Sequence, residues 1–257
     1  MDPIARGRTA EILDAGEGRV LKVLRPGFPE HLIEIEASNT AAANRAGVPA
    51  PAVFGRRIVD GRRALELERV AGRPMVDEIR RAPWTAGQWG RRLVDVHSEV
   101  VAATSPDLPD VKDRLAAGIR DADLARPLRI AARDALLDLP DADNVLHGDF
   151  HPLNVMVNGE RFTVIDWVDA SRGSPAADVA RTSWLLSRVA IPPDTTARRI
   201  VQFLGGFVRR AYLRHVPALA EPFDVARWRL PVLAARLAEG ISHEEPEIVA
   251  EVKRLAG

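Results

Sequence analysis

Residues 146–169 read LHGDFHPLNVMVNGERFTVIDWVD, and the fold turns on how this stretch is explained. Two histidines, three aspartates and Asn154 bracket two short apolar runs, VMV and RFTVI, with Asn158–Gly159 between them. Two such runs about an Asn-Gly pair predict a β-hairpin. The residue before the first strand, Asn154, and the residue after the second, Asp166, then meet at its open end. A four-residue loop sets 154 opposite 165, and a two-residue loop offsets them further. Asp149 lies on the preceding loop, five residues before Asn154, within reach of the same point. A few oxygen ligands of this kind suit Mg²⁺, which keeps several waters and accepts phosphate oxygens for the rest.

An aspartate, an asparagine five residues on and a second aspartate beyond a hairpin form the arrangement used in phosphoryl transfer. One carboxylate orients the acceptor hydroxyl and takes its proton, while the amide and the other carboxylate hold the metal. HGDFHPLN followed by VIDWVDASRGSPAADVA resembles the aminoglycoside phosphotransferase/choline kinase family, which shares the protein-kinase-like fold. The family's H-G-D-x-x-x-x-N loop is matched by His147, Gly148, Asp149 and Asn154. Its second segment is matched by Asp166, Trp167, Gly173, Pro175, Asp178, Val179 and Ala180. The resemblance implies Asp149 as catalytic base, Asn154 and Asp166 as magnesium ligands, and His147 and Asp178 as structural supports. Asp178 falls near a helix N-terminus, where a negative charge is favoured. Two other readings compete. One is a set of loop caps without chemistry; the other takes His147, Asp149 and His151 as an H-x-D-x-H transition-metal site, which leaves Asn154 and 166–180 unexplained.

The first 70 residues read as two hairpins about one helix. TAEIL and RVLKVLR flank the turn DAGEG, and AVFGRRIV and RRALELERV flank Asp60–Gly61. Between them a helix opens at Pro29 and stops at Gly47. A kinase needs a strand lysine for the phosphates and a helix glutamate to hold it. Lys22 is one of only three lysines among 36 basic residues, so its choice over arginine in mid-strand is informative. Glu36 is its expected partner, with Glu34 as fallback. ARGRTAE, with the single glycine Gly7, would cover the phosphates through backbone near Arg8, Thr9 and Ala10. Backbone around Glu68–Val70 would meet the adenine.

AGRP at 71–74 reads as the connection to a mainly helical half, with Thr85 and Gln88 placed as a capping box and Trp89, Leu93, Val96 and Val100 on one helix face. Further helices are expected over 111–138, 175–190, 194–214 and 223–240, with the 155–165 hairpin as this half's one strand pair. His97 reads as a packed or capping histidine. The expected architecture is α+β: a small β-rich lobe with one main helix over 1–70, which binds nucleotide, and a larger helical lobe over 71–257, which carries catalysis and the acceptor.

Composition narrows the function. Lys+Arg and Asp+Glu are equal at 36, against a nucleic-acid or anionic-membrane partner, and there is no cysteine for thiolate metal sites or nucleophiles. The sequence has no signal-like segment and no long apolar run, which predicts a cytoplasmic protein. Asp166 and Pro175 are too close for an activation loop, and Gly148 replaces the arginine of H-R-D. A small-molecule hydroxyl acceptor is therefore expected, with ATP as donor, GTP left open, and Mg²⁺. In aminoglycoside kinases the C-terminal end helps line the acceptor site, so Glu239, Glu244 and Glu245 would suit a cationic acceptor; the competing reading is a solvated amphipathic helix. The non-enzymatic alternative is a kinase-like protein that binds nucleotide and transfers nothing.

Overall fold

The computed structural model describes residues 2–7, 9–187 and 197–257, with backbone alone for 197–204. β1 (Ala5–Arg6), β2 (Ala10–Gly16) and β3 (Arg19–Leu24) precede α1 (His31–Arg45), and β4 (Val53–Val59) and β5 (Arg62–Glu68) follow it. The five strands make one antiparallel sheet in the order β1-β2-β3-β5-β4. Asp60 and Gly61 both take positive φ, 49° and 75°, the twist a two-residue hairpin turn requires. α1 ends as its sequence predicts: Val48 N–H donates to Ala43 O and Gly47 N–H to Asn44 O, closing a Schellman motif around Gly47.

Side-chain alternation along β3 sets the geometry of the site. Val20 and Leu24 turn toward α1 and pack with Ile33, Ala37, Leu65 and Leu67, whereas Leu21 and Val23 pack on the other side with Leu13 and Ala64. Lys22 shares the parity of Val20 and Leu24, so it is aimed at α1. The buried residues of α1 include Glu36, Asn39 and Thr40 beside its apolar ones. Polar residues on a buried helix face need partners, and the candidate site supplies them to Glu36 and Asn39.

The rest of the chain runs through β6 (Arg73–Pro74), α2 (Met75–Arg81), α3 (Ala86–Ala102), α4 (Val111–Asp121), α5 (Arg126–Leu137), β7 (Asn144–Leu146), β8 (Val155–Asn158), β9 (Arg161–Val164), β10 (Ser171–Gly173), α6 (Pro175–Leu185), α7 (Ala197–His215), α8 (Pro222–Arg236) and α9 (Glu245–Leu255). α3 lies along α7, and α8 packs against α4, α5, α6 and α9. One continuous core joins Leu93, Val96 and Val100 of α3 to Phe150, Trp167 and Tyr212. No described helix is long and apolar enough to cross a membrane.

Several expectations are corrected here. The 155–165 hairpin is not this half's one strand pair. Arg73–Pro74, inside the expected connection, pairs with β8, and β10 pairs with β7. The expected helix over 111–138 is two helices, because Ala122 leaves the helical region at ψ 138° and Pro127 restarts the chain in the first turn of α5. The capping box does not form: Thr85 Oγ1 donates back to Ala82 O, the end of a 3₁₀ turn that runs into α3. The helix expected over 223–240 ends at Arg236 and tightens to a 3₁₀ turn that stops at Gly240. The hairpin turn is also shifted. Asn158 pairs with Arg161, so the turn residues are Gly159 and Glu160, and Asn154 faces Ile165.

Candidate active site

Lys22 reaches α1 and the far end of the hairpin at once. Its Nζ lies 2.6 Å from Glu36 Oε1 and 2.9 Å from Asp166 Oδ1. Burial works against the ammonium, but the two carboxylates outweigh it and hold the Lys22 pKa above its ordinary value. Glu36 is pushed the other way, upward, first by its own burial, which the attraction of Lys22 does not offset, and then by the charge of Asp166. Glu34, the fallback partner, faces outward and pairs with Arg56 and Arg63.

The loop before the hairpin is fastened from behind. Asp178, in the first turn of α6, accepts the N–H groups of His147 at 2.7 Å and Gly148 at 2.9 Å, and lies 3.1 Å from His97 Nε2. Its burial favours the neutral acid, but the hydrogen bond from His97 and these amides hold its pKa down at about 2. His97 in turn lies 2.8 Å from the Tyr212 hydroxyl, so a buried chain of hydrogen bonds links α7 to the loop. His147 is fully buried; its Nδ1 accepts from Asp149 N–H and its Nε2 donates to Ile165 O. Both ring nitrogens are thus spent on backbone, and this excludes the H-x-D-x-H metal site. Gly148 sits at φ 77°, and a Cβ there would fall 2.2 Å from Asp169 O. A larger residue has no room, because the short 167–170 segment packs directly on the loop.

Asp149 and Asn154 then face each other. Asn154 Nδ2 donates to Asp149 O at 2.9 Å and to Asp149 Oδ2 at 3.2 Å. That fixes the amide and leaves its oxygen for another partner. Ile165 N–H donates to Asn154 O, which holds Asp166 beside it, with Asp166 at the uncommon φ of 70° for a residue with a side chain. One amide oxygen and one carboxylate fit Mg²⁺ better than a transition metal. Among the described residues no group of three or more His, Cys, Asp or Glu could hold a metal ion. Burial raises the Asp149 pKa, but His151 at 3.3 Å, Arg181 and His147 pull it well below the usual carboxylate range.

Lys22, Glu36, Asp149, Asn154 and Asp166 all line one cleft of about 1220 Å³. Thr9, Ala10, Glu68 and Val70 line it too, while Arg8 lies outside the described residues. The N–H groups of Glu68 and Arg69 are given to Ala52 O and Gly18 O, which leaves the Val70 end of this segment for a base. Of the three C-terminal acids, Glu239 and Glu244 line the cleft and Glu245 does not. Neither of the first two is a free carboxylate. Glu239 accepts from Arg181 at 2.7 Å and from Arg236 at 3.1 Å. Glu244 binds Arg236 through two hydrogen bonds of 2.7 and 2.8 Å and accepts from Trp184 Nε1. Both acids therefore line the cleft with their charge shared with arginines.

Three residues of the site escaped the sequence reading. Asn39 Nδ2 lies within hydrogen-bond distance of the carbonyls of Trp167, Val168 and Ala170, clamping the segment after Asp166 to α1. Its signal was its place three residues after Glu36, on the same helix face. Arg181 is buried behind the base, with Nη2 3.9 Å from Asp149 and 3.6 Å from Asp169. It follows Asp178 by three residues and so shares that helix face. Asp169, the unassigned aspartate of the 146–169 stretch, also takes Arg114 at 2.8 Å.

The model of the phosphotransferase enzyme family matches residues 4–221. No curated protein sequence matches the chain. Among solved structures, the chain is similar to a thermostable mutant of aminoglycoside phosphotransferase APH(4)-Ia, with 19% identity, TM-score 0.64, and coverage of 99% of this chain and 92% of that one. A choline/ethanolamine kinase family protein from Mesorhizobium loti aligns with 16% identity, TM-score 0.58, and coverage of 99% and 87%. An amicoumacin kinase, hAmiN, solved with AMP-PNP, Ca²⁺ and Ami, aligns with 13% identity, TM-score 0.58, and coverage of 98% and 86%. At these identities the likeness establishes the two-lobed protein-kinase-like fold.

Proposed function

The chain belongs to the phosphotransferase enzyme family, and we propose that it is a small-molecule kinase that transfers the γ-phosphate of ATP to a hydroxyl group. Residues 1–70 form its nucleotide lobe and 71–257 its catalytic and acceptor lobe. The Glu68–Val70 segment would hold the adenine, and Thr9, Ala10 and Lys22, which line the same cleft, would hold the phosphates. Lys22, braced by Glu36, neutralises phosphate charge. Asn154 and Asp166 would hold Mg²⁺, which would supply positive charge against the triphosphate. Asp149 receives the hydrogen bond of the acceptor hydroxyl, orients its lone pair toward the γ-phosphorus and takes the proton as transfer proceeds. The depressed pKa of Asp149 keeps it ionised and makes it a weak base, which suits a loose transition state in which the proton moves late. Placement and charge neutralisation supply most of the rate.

The observation that carries this reading is the meeting of Lys22, Glu36 and Asp166 with Asp149 and Asn154 in one cleft, from parts of the chain up to 144 residues apart. The test is calorimetric titration of the protein with ATP, with and without Mg²⁺, beside Asp166→Ala. Metal-dependent binding that the variant loses is the expected result. Binding indifferent to both metal and variant would remove the proposed ligand pair, and absence of any nucleotide binding would remove the kinase.

A further inference from the structure

The acceptor end of the cleft can be followed along α6. Asp178 holds the loop, and Arg181, three residues on, approaches Asp149 and binds Glu239. Leu185 and Leu186 come about 6–8 Å further along the helix axis and line the cleft. Ile241, two residues after Glu239, lines it as well, as does Val208 of α7. Four aliphatic side chains from α6, α7 and the segment after Glu239 thus line the cleft, and Leu186 and Val208 pack in one cluster.

The charges around this wall are matched. Asp169 has Arg114 and Arg181, Glu239 has Arg181 and Arg236, and Glu244 has Arg236. Asp169, Glu239 and Glu244 thus each have an arginine within ion-pair distance, and Asp149 has Arg181 at 3.9 Å and His151 at 3.3 Å. Arg181 and Arg236 are each 5% exposed, so an ammonium placed here meets guanidinium charge at short range with little water to screen it. A site for a polycation needs unpaired carboxylates; a site for an apolar body needs dry aliphatic wall and polar groups that are already satisfied. Among the described residues the carboxylates are paired and the wall is aliphatic, which is the second pattern in charge, while Arg181 Nε and Nη2 and Arg114 Nε keep no hydrogen-bond partner.

We infer that the acceptor is an uncharged hydroxyl compound with an apolar body, seated against Leu185, Leu186, Val208 and Ile241 with its hydroxyl at Asp149, and not a polycation. The inference rests on the kinase reading above. The full chain, saturated with AMP-PNP and Mg²⁺, is titrated calorimetrically with benzyl alcohol, 2-phenylethanol and 3-phenylpropan-1-ol, and separately with the polycationic aminoglycoside neomycin. Affinity is expected to rise about fourfold per added methylene, the value of burying one CH₂, with no saturable binding of neomycin at about 0.15 M salt. Ile241→Asp should flatten the series and Ile241→Val should keep its slope. Leu185→Asp on the opposite segment gives the same reading if Ile241→Asp does not fold. A flat series in the unmodified protein, or neomycin bound more tightly than the phenyl alcohols, overturns the inference. If AMP-PNP binds and the series is flat, the acceptor class alone fails; if AMP-PNP does not bind, the kinase reading fails and takes the inference with it.

Discussion

At one end of the cleft a single ammonium, Lys22, stands between Glu36 and Asp166, and Asp166 keeps 38% of its side chain open. At the other end Glu239, Glu244 and Asp169 are tied to arginines, and aliphatic side chains form the wall. On the proposed reading, the nucleotide end leaves charge available for a highly charged triphosphate and metal. The acceptor end spends its charge internally, which sets the shape of the site and holds its helices together while leaving little charge to select a ligand. The same residue types are used twice, and what separates the two uses is whether the partner lies within the chain.

The largest expected effect separates the two ends by function. Asp149→Asn keeps the shape of the side chain and removes its basicity, so transfer to any accepted hydroxyl should fall about 10²–10⁴-fold, with ATP affinity retained in calorimetry. A parallel loss of nucleotide binding would erase the distinction between the ends. Glu244→Gln probes the internal pairing. It leaves Arg236 paired with Glu239 alone, and thermal or urea unfolding should show a loss of about 1.5–3 kcal/mol, against less than ~0.5 kcal/mol for Glu245→Gln, which lies outside the cleft lining. Equal small losses would mean the acceptor-end acids are not structurally committed.

Asp178 sharpens the comparison from behind the site. Its folded pKa of about 2 lies below that of an unfolded aspartate, near ~3.9. The stabilisation is therefore complete above about pH 4 and is lost as pH falls through about 2, a contribution of roughly 2–3 kcal/mol. Acid unfolding of the unmodified protein should show that loss. Asp178→Asn should be less stable at neutral pH and lack this segment of the pH profile. The smallest effects are expected at Thr85→Ala, about 0.5–1 kcal/mol for its hydrogen bond to Ala82 O, and at Gln88→Ala, less than ~0.5 kcal/mol because no capping box forms; an equal loss at both positions would restore the box.

The hairpin, the D-x-x-x-x-N loop and the Lys22–Glu36 pair were legible because each rests on local pattern. Residue spacing sets which face of a strand or helix a side chain takes, and turn chemistry sets where strands reverse. Even there, the turn moved by one residue, since Asn158–Gly159 and Gly159–Glu160 are both adequate turns, and the pairing of Val155 with Val164, which sets Asn154 opposite Ile165, decides between them. Asn39 and Arg181 were not legible as functional. A polar residue on a buried face announces that it needs a partner, but the carbonyls of 167–170 and the carboxylate of Glu239 lie 128 and 58 residues away.

By itself the sequence determined the residue set of the proposed transfer end: a lysine where arginine is the habit, two carboxylates and an amide about a hairpin, and a glycine in place of the arginine of H-R-D. These are choices of residue type at fixed short spacing, and short spacing is what backbone geometry controls. Only the tertiary structure decided the character of the acceptor end. A cluster of glutamates reads the same in sequence whether it faces solvent, a cation or an arginine, and its free energy depends on which charge is nearest once water is excluded. That choice was made by α6 and α8 packing side by side, which brings Arg181 and Arg236 to Glu239 and Glu244.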